Sequence, residues 1–439
     1  MKVRPTASLL VLLGLLLTSH SVPARQGVGG NQVGAKTLKF DKEKFAATIN
    51  QNRLGAAGPL DGYAAVIIKD GMVVGEVAGG SAVRDGGGLK QAPMTTSTPT
   101  DIGSTFKLLS FITLLSEFEK RAAANRAATM ESQLNATIRP FMPAAWGAWI
   151  DTPPDDTAAE AQATFRIGKT TFAQLFSHKS GFRSVSSSNK VPFDYIDKGI
   201  QQSDIGVRSY SNFNATVLTY LWPRLMDPAT ADKFDKQIAA GKVSNRDHKT
   251  LGKLYGDFFE SWMQQRVFDV IKPGFRPSCD PAVDFPKRNP PVVFARFYDG
   301  PLGGDNPRFW SEKTNNYGCH AQGGYYLSMR QLAAFMANYQ ATNTLVSEKT
   351  RKLMYDDSTA ATRDARLGWS RILESEFATK NFKVNRVPWH GGDGYGHTAI
   401  VQLPGGFIAV GTVTGGGSGG SVASALEAGW ADALRANFE

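Results

Sequence analysis

Ser104 and Lys107 stand three residues apart in the stretch Ser104-Thr105-Phe106-Lys107, a pairing that can support nucleophilic catalysis. A serine hydroxyl is a poor nucleophile at neutral pH unless a base within hydrogen-bond reach takes its proton. If a helix begins at Ser104, Lys107 follows one turn later on the same face. A lysine acts as that base only in its neutral form, which burial or a nearby cation favours over the ammonium. The start of the helix adds free backbone N–H groups and the positive end of the helix dipole. The tetrad also arises by chance in ordinary sequences, so taken alone it reads more simply as a helix-capping serine followed by a surface lysine.

Two later stretches supply partners. In Tyr210-Ser211-Asn212 an extended backbone would turn Tyr210 and Asn212 to the same side. A tyrosine beside a lysine can shuttle a proton to a leaving group, although Tyr210 by itself reads as a packing residue. Trp389-His390-Gly391-Gly392 falls near the end of a predicted strand, where a bare Gly392 would let a substrate lie along the strand as an extra edge. A rival placement at His397-Thr398-Ala399 lacks the final glycine and leaves little chain before Pro404. Residues 416–420 satisfy Gly-x-Ser-x-Gly, but a nucleophile elbow needs an acid and then a histidine downstream, and no histidine follows His397. That segment reads as a flexible loop.

The elements that must position these residues are legible in outline. Asp41 caps a predicted helix over about 41–52 with Phe45, Ala46 and Ile49 on one face. Residues 62–69 and 72–78 flank Asp70-Gly71, a strong hairpin signal. A helix is predicted from Ser104 to about Ala124, followed by helical patterns at 213–226, 248–270 and 329–340 and by proline-rich loops such as 272–291. Strands return at 368–373, 384–391, 399–403 and 407–414, with a turn at Pro404-Gly405-Gly406 and a closing helix over 421–436. Strands at both ends around a helical middle require a sheet completed by distant segments, with terminal helices packed on it.

Taken in order, Ser104-x-x-Lys107, Tyr210-x-Asn212 and His390-Gly391-Gly392 resemble the three motifs of the β-lactamase-related, penicillin-binding-protein-like serine hydrolases. These include class C β-lactamases, D-alanyl-D-alanine carboxypeptidases, esterases and D-aminopeptidases. Leu175-Phe176-Ser177-His178-Lys179-Ser180-Gly181 is similar to a further signature of that family, in which His178 is structural. Residues 255–273 and 323–328 resemble its later helix and Gly-Gly loop, so the resemblance runs from about Gly62 to Thr414.

The resemblance implies an α/β fold of the α+β type: an antiparallel sheet flanked by terminal helices plus an inserted all-helical lobe. The α/β lobe would comprise 41–100 and about 340–439, and the helical lobe about 101–339. It implies that Ser104 forms an acyl-enzyme, that Lys107 and Tyr210 manage protons, and that Asn212 positions the substrate. The oxyanion would rest on the backbone N–H groups of Ser104 and Asp393. Two departures bear on substrate. Gly391 stands where a hydroxyl-bearing residue is common, and the acidic Asp393 follows, so a donor is lost and a like charge added where an anionic substrate group would sit. The expectation is hydrolysis of an ester or amide, on the esterase or D-aminopeptidase side. β-Lactamase or D-Ala-D-Ala carboxypeptidase activity on β-lactams or peptidoglycan, and a non-catalytic sensor, are the alternatives.

Lys2 and Arg4, an apolar run over about 7–17 and small residues before Ala24 read as a signal peptide over 1–24, with a loose mature N-terminus over 25–40. A secreted or periplasmic protein follows, with no membrane span after cleavage. Removal of the leader lowers the formal charge from +10 to +8, and the basic residues are scattered. Nucleic-acid binding is therefore not expected, and the partner is a small-molecule or peptide substrate. Oligomeric state is not legible. Cys279 and Cys319, the only cysteines, either form one disulfide or stay as separate thiols, because bridging depends on their Cα separation. Neither a structural zinc pattern nor a His-Glu-x-x-His run occurs, so no metal or cofactor is expected.

Overall fold

Two β-rich runs pair as predicted: β1 (Tyr63–Lys69) and β2 (Met72–Gly79) form an antiparallel hairpin. Asp70 and Gly71 both adopt left-handed φ values, 49° and 83°, which the tight two-residue turn requires. The protein is described from a computed structural model that covers residues 39–435 apart from 57, 86–89, 148–149, 151–163, 166, 184–194, 197–198, 245–246, 273, 298–318, 356–366, 370, 375–377, 380–381, 384–385, 394–395 and 417. The leader sequence and its cleavage point lie outside the described residues.

The hairpin belongs to a six-stranded antiparallel sheet whose other members come from the far end of the chain. These are β5 (Arg371–Glu374), β6 (Arg386–Asp393), β7 (His397–Leu403) and β8 (Phe407–Val413), in the order β2-β1-β8-β7-β6-β5. Strand β1 pairs with β8 from Tyr63 opposite Val413 to Lys69 opposite Phe407. Both strands are buried on both faces, so their side chains feed two separate cores. Ala64, Val66, Ile68, Ile408 and Val410 point into one, and Tyr63, Ala65, Ile67, Phe407 and Ala409 into the other.

The second core is covered by the two terminal helices, α1 (Lys42–Asn52) and α8 (Gly419–Leu434), through Phe45, Ile49, Val422, Leu426 and Trp430. Asp41 caps α1 as expected, its carboxylate accepting from the N–H groups of Glu43 and Lys44. The first core is built around α2 (Thr105–Ala124), whose residues from Thr105 to Ser116 are all buried, so it is a central helix rather than a surface one. Around it pack α3 (Phe172–Phe176), α4 (Phe213–Met226), α5 (Pro228–Ala239), α6 (His248–Met263) and α7 (Met329–Ala341). A short antiparallel pair, β3 (Thr100–Asp101) with β4 (Tyr326–Leu327), ties the entry to α2 to the segment that precedes α7. The antiparallel sheet, its terminal helices and the helical middle match the fold expected from sequence. No helix among the described residues is long and apolar enough to cross a membrane.

Candidate active site

The turn that presents Ser104 is fixed by its own backbone. Gly103 adopts a left-handed φ of 50°, and its N–H donates to the Asp101 carboxylate at 2.8 Å. Phe106, in the first turn of α2, stacks on Tyr325 with centroids 3.8 Å apart and planes 8° apart, while Ile102 N–H donates to the Tyr325 carbonyl. Ser104 is the N-cap residue of α2, yet its hydroxyl makes no capping bond. Instead Oγ lies 2.6 Å from Lys107 Nζ. Lys107 is 1 % exposed, and its Nζ also donates to the Gln322 carbonyl at 3.0 Å. The helix-cap and surface-lysine reading therefore fails on both residues.

Gln322 was not singled out from sequence. Its segment is held between two helices: Ser110 Oγ of α2 donates to the Ala321 carbonyl, Ala321 N–H donates to Thr219 Oγ1 of α4, and Thr216 Oγ1 donates to the Gln322 side-chain oxygen. Three residues before Gln322, Cys319 is joined to Cys279 by a disulfide with Cα atoms 5.5 Å apart.

Tyr210 lies at the same place, with Lys107 Nζ 5.3 Å from its ring centroid. One face of the ring stacks on His178, and the edge of His390 stands 6.5 Å away. His178 is buried, and desolvation, aided by the basic side chains of His390, Lys107 and Arg208 nearby, holds its imidazole well below the usual histidine range. Asn212 corrects the extended reading of this stretch. Its backbone is already helical (φ −57°, ψ −32°) as the N-cap of α4, and its side chain is exposed, so simple alternation with Tyr210 does not hold.

Strand β6 closes the other side. His390 is fully buried, with Nδ1 3.0 Å from the Gly391 carbonyl. Gly392 shares its face and meets the serine turn: a methyl group added there would stand 2.2 Å from the Ile102 carbonyl oxygen and 3.1 Å from Ser104 N. Its bare α-carbon thus admits the backbone of the serine turn, in addition to whatever substrate contact the sequence led one to expect. Gly391 lies on the opposite face, against the Trp389 ring and Gly419. Asp393 is exposed, and its Oδ1 accepts from Gly419 N–H at the start of α8 (2.6 Å) and meets His397 Nδ1 (2.8 Å). Gly419 and Gly420, read from sequence as part of a loop, open α8 instead, capped by Ser418, which accepts from Ser421 N–H.

Asp101, also missed from sequence, is completely buried beneath the serine turn. Desolvation raises its carboxyl to about 6, against the lowering effect of the Gly103 N–H. Among the described residues one grouping of metal-ligating types occurs, Glu260 with Cys279 and Cys319, and there the two sulfurs are bonded to each other.

Residues 49–241 match the family model described as Beta-lactamase. No curated protein sequence matches the chain. Among solved structures, the octameric penicillin-binding protein homologue from Pyrococcus abyssi aligns with a TM-score of 0.58 at 16% identity, covering 87% of this chain and 75% of its own. A class C β-lactamase from Rhodobacter sphaeroides aligns with a TM-score of 0.55 at 13% identity, covering 90% and 100% respectively. EstCE1, described as a hydrolase with promiscuous acyltransferase activity, gives 0.55 at 15% identity over 89% and 98%. At these identities the likeness is one of fold. The segment that matches the Beta-lactamase model carries Ser104, Lys107 and Tyr210, and the fold of β-lactamases and penicillin-binding protein homologues is shared along most of the chain.

Proposed function

We propose that this chain is a secreted serine hydrolase that cleaves an ester or amide bond through an acyl-enzyme on Ser104. The observation that carries the reading is the 2.6 Å contact between Ser104 Oγ and the buried Nζ of Lys107 at the start of α2. In the first step Ser104 Oγ bonds to the substrate carbonyl carbon while its proton passes to Lys107. Tyr210, beside the lysine, relays a proton to the departing alcohol or amine. Water then attacks the acyl carbon, returns a proton through the same groups and frees Ser104.

The oxyanion donors in this reading are the N–H groups of Ser104 and Asp393. Supporting it, both amides border one contact: a methyl on Gly392 would lie 3.1 Å from Ser104 N, and one on Gly103 would lie 3.4 Å from Asp393 N. Asn212, exposed at the start of α4, is the proposed contact for the substrate amide or carbonyl.

Asp393 steers the choice of substrate. Its carboxylate, at the end of β6 on the α8 side and tied to Gly419 and His397, adds negative charge near this end of the site, which in this reading disfavours a substrate carboxylate. Esters and D-amino-acid amides are therefore preferred over β-lactams and peptidoglycan stems ending in a carboxylate. The test is a panel of nitrocefin, p-nitrophenyl acetate and butyrate, and D-alanine p-nitroanilide, with fluorophosphonate labelling read by intact mass. The ester or the anilide is expected to turn over fastest, and Ser104→Ala to lose both adduct and turnover, by about a thousandfold or more. A dominant nitrocefin rate would reverse the substrate assignment, and an equal absence of adduct in wild type and Ser104→Ala would favour a non-catalytic sensor.

A further inference from the structure

His178 takes no part in the proton transfers proposed above, yet it is bound to Tyr210 from three directions. Its ring lies against the Tyr210 ring with centroids 4.6 Å apart and planes 29° apart. Its carbonyl accepts from Ser209 N–H at 2.9 Å, and its Nδ1 accepts from Ser211 N–H at 3.3 Å. The residues immediately before and after Tyr210 are thus both anchored on one histidine. Asn214 Nδ2 also reaches Nδ1, at 3.0 Å, and Asn214 is itself held by a 2.5 Å hydrogen bond from Ser180 Oγ.

The backbone at His178 is set by the end of α3, whereas the polar contacts of its ring call for more than packing. His178 sits at a left-handed φ of 56° just past the C-cap of α3, its N–H donating to the Leu175 carbonyl and Lys179 N–H to the Gln174 carbonyl, and this helix end fixes where its ring and carbonyl meet the Tyr210 segment. With Nδ1 accepting from N–H donors, the proton of the neutral ring resides on Nε2. That Nε2 is buried and has no hydrogen-bond partner among the described residues. A phenylalanine would fill the space without an orphaned polar atom, but it would offer no acceptor to Ser211 and Asn214.

We infer that His178 is the positioning residue of Tyr210: its ring face sets the plane of the phenol, and its carbonyl and Nδ1 set the backbone on either side. This rests on the proton-relay role proposed for Tyr210. Tyr210 then needs no rearrangement when substrate arrives, because its ring and flanking amides are already fixed.

The test uses the full chain carrying His178→Asn. Asparagine tolerates left-handed φ and retains a side-chain acceptor, so this change chiefly removes the ring face. With the best chromogenic substrate of the panel, kcat is expected to fall about tenfold or more and KM to stay within about twofold. Ser104 is expected to remain labelled by a fluorophosphonate. In protein carrying 3-fluorotyrosine, the fluorine resonance of Tyr210, assigned through Tyr210→Phe, is expected to shift and broaden. In the Tyr210→Phe background His178→Asn is expected to cause no further loss of kcat.

An equal loss in both backgrounds, or an unmoved fluorine resonance, would overturn the inference. Wild-type turnover by Tyr210→Phe would instead remove the tyrosine from the reaction, and the fluorine resonance would still decide whether His178 holds the ring. Should His178→Asn lose fluorophosphonate labelling through misfolding, Asn214→Ala, which removes one donor from Nδ1, is read by the same resonance and the same kcat comparison.

Discussion

Asp101 has a measurable consequence at the scale of a single residue. Its carboxyl is raised from 3.8 to about 6 in the folded protein, so the native state favours its protonated form. The stability associated with that form is fully present below about pH 4 and is lost as pH rises through 6. Asp101→Asn keeps an oxygen for the Gly103 N–H and removes the buried charge. It is expected to raise stability at pH 7.5 by up to about 3 kcal/mol and to change little at pH 4, as urea unfolding at the two pH values would show. A gain of equal size at both would mean that ionisation of Asp101 is not the cause. Ser104 and Lys107 were legible from spacing because i, i+3 proximity is a property of any helix. Gln322 and Asp101 were not. The first acts through a carbonyl that every residue possesses, and the second owes its shift to burial supplied by segments hundreds of residues away.

Among elements, the decisive contact is β6 against the turn before α2. Gly392→Ala would place a carbon 2.2 Å from the Ile102 carbonyl, where backbone must yield. We expect a loss of roughly 2–4 kcal/mol in stability together with a drop in kcat, checked by thermal unfolding and ester turnover on the same preparation. Unchanged stability with full activity would show that the strand can withdraw from the turn at no cost. The hairpin of β1 and β2, the cap at Asp41 and the helix α4 were all readable from sequence, because turn chemistry, capping and periodicity are local. The start of α8 was not: glycines that suggest a loose loop are there to let Gly419 approach Gly391. Asn212 was misjudged for a related reason, since the helix it caps overrides strand alternation two residues after Tyr210.

For the whole molecule, the disulfide joins a proline-rich connection to the segment that holds Lys107. Its cysteines are 40 residues apart, for which chain entropy predicts a stabilisation of about 4 kcal/mol. The double variant Cys279→Ser, Cys319→Ser is expected to lose stability of that order. It should also lose turnover at temperatures where it remains folded, because the Gln322 carbonyl is then less firmly placed. Turnover identical to wild type would confine the disulfide to stability alone. The pairing of β1 with β8, residues 63–69 against 407–413, has a kinetic consequence. A polypeptide made from its N-terminus acquires the serine and lysine early, but the strand that walls them and the central strand that anchors the sheet come last. Closing so long a loop costs little in equilibrium stability, since the entropy grows only with the logarithm of length, yet it slows the search. The serine turn is therefore complete only once the segment carrying residues 386–413 has joined the hairpin formed by residues 63–79.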